Sequence, residues 1–210
     1  RKIMRNIDFD KFSEHSLVLR NYAKNFDIQL LEEIENIVKQ NDFRHMKTPK
    51  GHQMSASMTN CGEYGWVSDK FGYRYEKTDP KTNQPWPKMP EIFRDLARSA
   101  ADDSGYINFE SDACLINRYR PKAAMALHQD KDEHDFTQPI VSISLGISVT
   151  FLFGGLTRTE KPVTKELHHG DIVVWGGPDR LRFHGVRPLK NNTHPLVGPL
   201  RFNLTLRKAN

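Results

Sequence analysis

The amino-acid sequence predicts a mainly β protein with flanking helices, an α+β chain whose strands close into a jelly roll or barrel. Three observations lead there. About eight short strand-like segments crowd the chain after Ala113, separated by turn signals such as Gly154-Gly155, His169-Gly170 and Gly176-Gly177-Pro178. No helical period falls between those segments, which argues against the strand–helix alternation of a parallel sheet. The two stretches that do carry a helical period both lie before them.

Residues 1–26 mix charge with scattered apolar side chains and read as a loosely attached arm. Over residues 28–38, Leu30, Leu31, Ile34, Ile37 and Val38 fall on one helical face, with Asp27 placed to cap the start. Residues 48–90 are rich in Gly, Pro and aromatics (Trp66, Phe71, Tyr73, Tyr75, Trp86) without a helical period, so short strands and loops are expected, forming a flap over a site. A second amphipathic helix is expected over 91–101, with Ile92, Phe93, Leu96, Ala97 and Ala100 inward. Pro90 suits its first turn, and Gly105 lies just past its end. Strands are then expected at 114–119, 125–129, 140–145, 148–153, 164–167, 171–175, 183–186 and 201–207. The chain thus divides into an arm (1–26), helices and a lid (27–112) and a β core (113–210), together one compact domain.

Charged residues at 27% and hydrophobic ones at 37% make an ordinary globular mix and exclude a disordered or fibrous chain. The longest apolar stretch, from Pro139 to Gly155, is broken by Ser142, Ser144, Ser148 and Thr150, too polar to span a bilayer. With no signal peptide visible, no membrane association and a cytoplasmic location are expected. The net charge of +5 suits a polyanionic partner. Cys61 and Cys114 are expected as free thiols in a reducing compartment.

The chemistry concentrates in the β segment. In His128-Gln129-Asp130 the imidazole and the carboxylate are two apart on a strand and share a face, so one metal can take both. His184 is the natural third ligand, which makes the two-His, one-carboxylate set of non-heme Fe(II) oxygenases; the same donors also suit zinc. A second match, His169-Gly170-Asp171, lies in a Gly turn and reads as turn chemistry. In the last strand Arg201, Asn203, Thr205 and Arg207 share one face and Phe202, Leu204 and Leu206 the other. Two inward arginines call for anions, such as a dicarboxylate; the alternative is an edge strand with both in water. Asn117 and Tyr119 form a further inward pair of donors.

Together with Met58-Thr59-Asn60-Cys61-Gly62, Gly65-Trp66, Gly72-Tyr73-Arg74-Tyr75, the run from Asp79 to Pro87, Cys114 to Tyr119, His128 to Glu133 and Val173-Val174-Trp175-Gly176-Gly177, these residues resemble the AlkB family of Fe(II)/2-oxoglutarate dioxygenases. The likeness spans about Phe43 to Arg207. It implies a double-stranded β-helix, which is a jelly roll, with an N-terminal nucleotide-recognition flap. It implies that His128, Asp130 and His184 bind iron and form the catalytic centre. The blocks Asn117-Arg118-Tyr119 and Arg201, Asn203 and Arg207 would hold 2-oxoglutarate, with O2 as the other co-substrate. Trp66 would stack on the extruded base, Tyr73, Arg74 and Tyr75 would meet the nucleotide backbone, and Asp132 and Arg158 the base or its lesion. The implied activity is oxidative demethylation of bases such as 1-methyladenine and 3-methylcytosine in DNA, single-stranded or flipped from a duplex, by a monomer. RNA, a protein side chain, or a non-catalytic nucleic-acid-binding domain with structural zinc are the alternatives. A family member carries larger or more polar residues near Ala124 and Ala126 and an aromatic near His52, departures that bear on substrate preference.

Overall fold

All eight strands expected after Ala113 are present in the computed structural model, which describes residues 6–210. In chain order the elements are β1 (Phe9–Ser13), β2 (Ser16–Leu19), α1 (Asp27–Gln40), β3 (Ser57–Gly62), β4 (Gly65–Asp69), β5 (Gly72–Glu76), α2 (Glu91–Asp103), β6 (Ala113–Tyr119), β7 (Met125–His128), β8 (Ile140–Gly146), β9 (Val149–Phe153), β10 (Val163–Leu167), β11 (Ile172–Trp175), β12 (His184–Val186) and β13 (Arg201–Arg207). They form a seven-stranded sheet in the order β1-β2-β11-β8-β13-β6-β3, a four-stranded sheet in the order β10-β9-β12-β7, and the separate hairpin β4-β5. Every pairing between these strands is antiparallel, the jelly roll that the strand count and turn spacing imply.

The large sheet is buried on both faces, and strand alternation sorts its side chains. In β11, Ile172 and Val174 join Leu30, Ile34 and Ile37 of α1 and Phe93 and Leu96 of α2 in one core. Val173 and Trp175 join Phe151 and Phe153 of the smaller sheet in the other. In β13, Leu204 and Leu206 enter the helix-side core, which leaves Arg201, Asn203, Thr205 and Arg207 between the sheets, all buried. Cys61 and Cys114 lie opposite each other across β3 and β6 as buried free thiols.

Two expectations are corrected. The first five residues of the expected arm lie outside the described residues, but 9–19 are no loose arm. β2 pairs with β11 from Ser16–Trp175 to Leu19–Ile172, and Val18 and Leu19 are buried. A strand covered on both faces shows no polar alternation, so four residues of it carry no period to read. Asp27 is the first residue of α1 rather than its cap, and its carboxylate accepts hydrogen bonds from Ile28 N–H and, at 3.0 Å, from His169 Nε2. Among the described residues no helix is long and apolar enough to cross a membrane.

Candidate active site

Between the two sheets opens a cavity of about 560 Å³. β7 and β12 are neighbours in the smaller sheet, with His128 directly opposite His184, and Asp130 follows just beyond the end of β7. The ligand atoms of these three residues all lie within 4.8 Å of one another. Asp130 Oδ1 is 3.6 Å from His128 Nε2 and 3.7 Å from His184 Nε2, gaps that an ion about 2 Å from each atom would close.

Backbone carbonyls decide which imidazole nitrogen faces that point. His128 Nδ1–H donates to Ala126 O at 2.9 Å and His184 Nδ1–H to Arg182 O at 3.1 Å, which leaves each Nε2 lone pair for a metal. Burial, together with the neighbouring His128, pushes His184 down to about 4, so it is neutral at pH 7. Asp130 divides its oxygens. Oδ1 faces the histidines, while Oδ2 accepts from Arg207 Nε at 2.9 Å and Arg207 Nη2 at 2.8 Å. Burial works against that charge, but Arg207 outweighs it and holds the carboxyl well below the usual carboxylate range. The other His-x-Asp is turn chemistry, as expected. Asp171 accepts from His168 N–H at 2.8 Å and from Arg20 at 2.6 Å, and Gly170 takes a φ of +87° between them.

The two arginines of β13 differ. Arg207 is saturated: besides Asp130 it meets Glu133 at 3.4 Å and the Tyr75 hydroxyl at 3.3 Å. Arg201 is 2% exposed, yet its Nε and Nη1 have no hydrogen-bond partner, and only Nη2 reaches Ser144 Oγ, at 3.1 Å. The Tyr119 ring lies 5.0 Å from its guanidinium. Burial drives the Arg201 pKa down, with Tyr119 opposing. A buried cation with open N–H groups is costly until an anion completes it. Nearby, Asn117 Nδ2 donates to Asn203 Oδ1 at 3.1 Å, and Asn117 Oδ1 is buried without a partner. A dicarboxylate co-substrate fits the open N–H groups of Arg201.

Of the residues expected at the nucleotide end, Trp66, Tyr73, Asp132 and Arg158 line the cavity. Trp66 and Tyr73 stack at 5.7 Å with planes 13° apart, and Trp66 Nε1 donates to Asp132 Oδ2 at 2.8 Å. Arg158 reaches Leu127 O at 2.5 Å and covers the Phe183 ring at 4.9 Å. Ala124 and Ala126 also line the cavity, whereas His52 does not.

Three expectations need correction. Arg118 alternates to the outer face of β6, where Nε donates to Ser57 Oγ at 3.0 Å and the guanidinium covers Phe43 at 4.3 Å, so it takes no part in the cavity. Arg74 is also outside the cavity, ion-paired with Asp69 at 2.9 Å and Glu76 at 2.6 Å. Tyr75 turns inward, its hydroxyl donating to Glu133 at 2.6 Å rather than facing a nucleotide.

Sequence reading missed one buried brace. Arg180 Nη1 donates to Asp130 O at 2.6 Å, Nη2 meets Glu133 at 3.1 Å and Nε donates to Gln138 O at 3.0 Å. Gln129 Nε2 answers by donating to Leu181 O at 2.7 Å. These bonds tie the segment carrying His128 and Asp130 to the one leading into His184. An arginine after Gly177-Pro178 resembles any surface charge, so no local signal marks it.

By donor chemistry alone the triad suits Fe(II) or zinc. Residues 16–207 match the family described as the 2OG-Fe(II) oxygenase superfamily. The chain belongs to that superfamily. It is 50% identical over 194 residues to the alpha-ketoglutarate-dependent dioxygenase AlkB of Escherichia coli (strain K12), covering 92% of this chain and 90% of that one. It is 41% identical to the AlkB homolog of Caulobacter vibrioides (strain NA1000 / CB15N), over 86% and 80% of the two chains. The solved structure of OsALKBH1 superposes with a TM-score of 0.85 at 26% identity, over 96% of this chain and all of that one. This 2OG-Fe(II) oxygenase therefore works with Fe(II), 2-oxoglutarate and O2, and the zinc alternative falls away.

Proposed function

We propose that this oxygenase demethylates alkylated nucleobases such as 1-methyladenine and 3-methylcytosine in DNA, restoring the base. The observation that carries the proposal is one cavity shared by the His128–Asp130–His184 triad, the open Arg201, and the Trp66–Tyr73 stack with Asp132 beside it. The relatives support it: besides the AlkB enzymes, they include a tRNA demethylase of Schizosaccharomyces pombe, 28% identical over 69% of this chain and 45% of that one.

His128, Asp130 and His184 would hold the metal, their Nε2, Oδ1 and Nε2 atoms facing one another. Fe(II) held there would, with 2-oxoglutarate and O2, supply the oxidising chemistry: the N-methyl group would be hydroxylated and lost as formaldehyde, and 2-oxoglutarate converted to succinate and CO2. Arg201 and Tyr119 take the distal carboxylate of the co-substrate, and Asn117, Asn203 and Arg207 border its metal-proximal end. Arg207 also keeps Asp130 ionised and aimed. A base inside a duplex cannot reach the metal, so the target is single-stranded or flipped out, and stacking on Trp66 offsets about 1–3 kcal/mol of the unstacking. Methylation at N1 of adenine or N3 of cytosine makes the base cationic, and the Asp132 carboxylate attracts that charge over a neutral base. Arg158 closes the rim. The enzyme acts as a monomer in the cytoplasm in this proposal, supported by a site complete within one chain and by free thiols that suit a reducing compartment.

Anaerobic reconstitution with Fe(II) and 2-oxoglutarate, then air and methylated DNA or RNA oligonucleotides, tests this by mass spectrometry. Methyl loss that needs iron and 2-oxoglutarate and vanishes in His128→Ala is expected. Preference for the RNA strand would move the substrate, and absence of succinate would overturn the proposal.

A further inference from the structure

One aromatic of the β4–β5 hairpin is used neither by the metal, nor by the co-substrate, nor by the extruded base. Phe71 stands in the turn and is 76% exposed, the most exposed large apolar side chain among the described residues. The turn that carries it is pinned. Asp69 Oδ1 accepts from Phe71 N–H at 2.8 Å and from Arg74 Nη1 at 2.9 Å, Arg74 Nη2 donates to Asp69 Oδ2 at 3.1 Å, and Gly72 takes a φ of +111°. Arg74 is thus the clamp of the hairpin tip. Lys70 Nζ lies 5.0 Å from the Phe71 ring, so the tip presents a flat apolar face with a cation beside it. Behind the tip on the same hairpin, Tyr73 stacks on Trp66, and both line the cavity.

Resting on the nucleic-acid function above, we propose that Phe71 stacks on a base flanking the extruded nucleotide, with Lys70 against the adjoining phosphate. Phe71 is two residues from Tyr73, at the tip of the hairpin whose Trp66–Tyr73 stack lines the cavity, so its ring is placed for a base next to the extruded one. An aromatic ring next to a lysine is the chemistry that binds a strand through base faces and phosphates, whatever the base. A ring on a pinned turn loses little freedom on binding.

The test compares Phe71→Ala, Phe71→Trp and Lys70→Ala in the Fe(II)-reconstituted enzyme on a 1-methyladenine oligonucleotide with 2-aminopurine beside the lesion. Phe71→Ala is expected to raise KM about tenfold with kcat unchanged and to lose the 2-aminopurine quenching that the wild type causes. Phe71→Trp should keep both, and Lys70→Ala should raise KM less and flatten its salt dependence. Succinate formed without nucleic acid should be the same in all four proteins, since the ring is far from the metal ligands in sequence and exposed. Wild-type KM and quenching in Phe71→Ala, on single and double strands alike, would overturn the contact and leave the ring for a protein partner. Failure of the wild type to demethylate would instead sink the nucleic-acid function itself.

Discussion

Arg201 and Arg207 share a strand face but stand in opposite electrostatic states, and substitutions should separate them. Arg201→Ala removes a cation whose open N–H groups await an anion. Charge-assisted hydrogen bonds are worth about 1.5–3 kcal/mol each, so KM for 2-oxoglutarate should rise about a hundredfold while Fe(II) affinity stays unchanged. Titration of each ligand separately reads both. Arg180→Gln should do the reverse, weakening Fe(II) or Co(II) binding about 10–100-fold through the loss of its bonds to Asp130 O and Glu133, with partial rescue by Arg180→Lys. Equal metal affinity in the variant would show that Gln129 and Leu181 suffice as the tie. The inward arginines were legible because strict alternation in β13 exposes them. That Asp130 occupies Arg207 was not, because the partners are distant in sequence and meet only across the closed roll. Arg118 shows the opposite failure: its motif neighbours Asn117 and Tyr119 point inward, and alternation sends the residue between them out.

At the level of elements, the site depends on how closely β7 and β12 approach. Gly185 lies between His184 and Val186, and a Cβ there would come 2.5 Å from Met125 O and 3.1 Å from Ala126. No side chain fits without moving the strand that carries His128. Gly185→Ala is therefore expected to lower both Tm and metal affinity, by calorimetry and Co(II) titration, whereas Ala at the unobstructed Gly51 should act through backbone strain alone and spare the metal. Strands such as β9 and β13 were readable because turns or polar alternation bound them. β2 was not: Leu17, Val18 and Leu19 form an unbroken apolar triplet, and their register comes from β1 on one side and the distant β11 on the other.

For the whole molecule, the buried histidine sets an acid limit. An unfolded His184 titrates near 6.5 and the folded one at about 4, so between those values the unfolded chain binds a proton that the folded chain refuses. This contribution to the metal-free protein is complete above about pH 6.5 and is lost as pH falls toward 4, about 3 kcal/mol in all. Denaturant titrations at intervals across that range should show the decline, and His184→Asn should flatten it. The overall architecture was legible because eight strand segments and two helices, in that segregated order, leave few antiparallel arrangements. The strand order was not, since neighbours in space are rarely neighbours in sequence here. β13 fills the slot between β8 and β6, made long before it, and also brings both arginines. During synthesis the metal ligands therefore leave the ribosome while the large sheet still lacks the strand that joins β8 to β6. The nascent chain holds two open edges and no counter-charge for a dicarboxylate, so it becomes an enzyme in one late closing step, and a holdase that shields β6 and β8 until then should raise its yield.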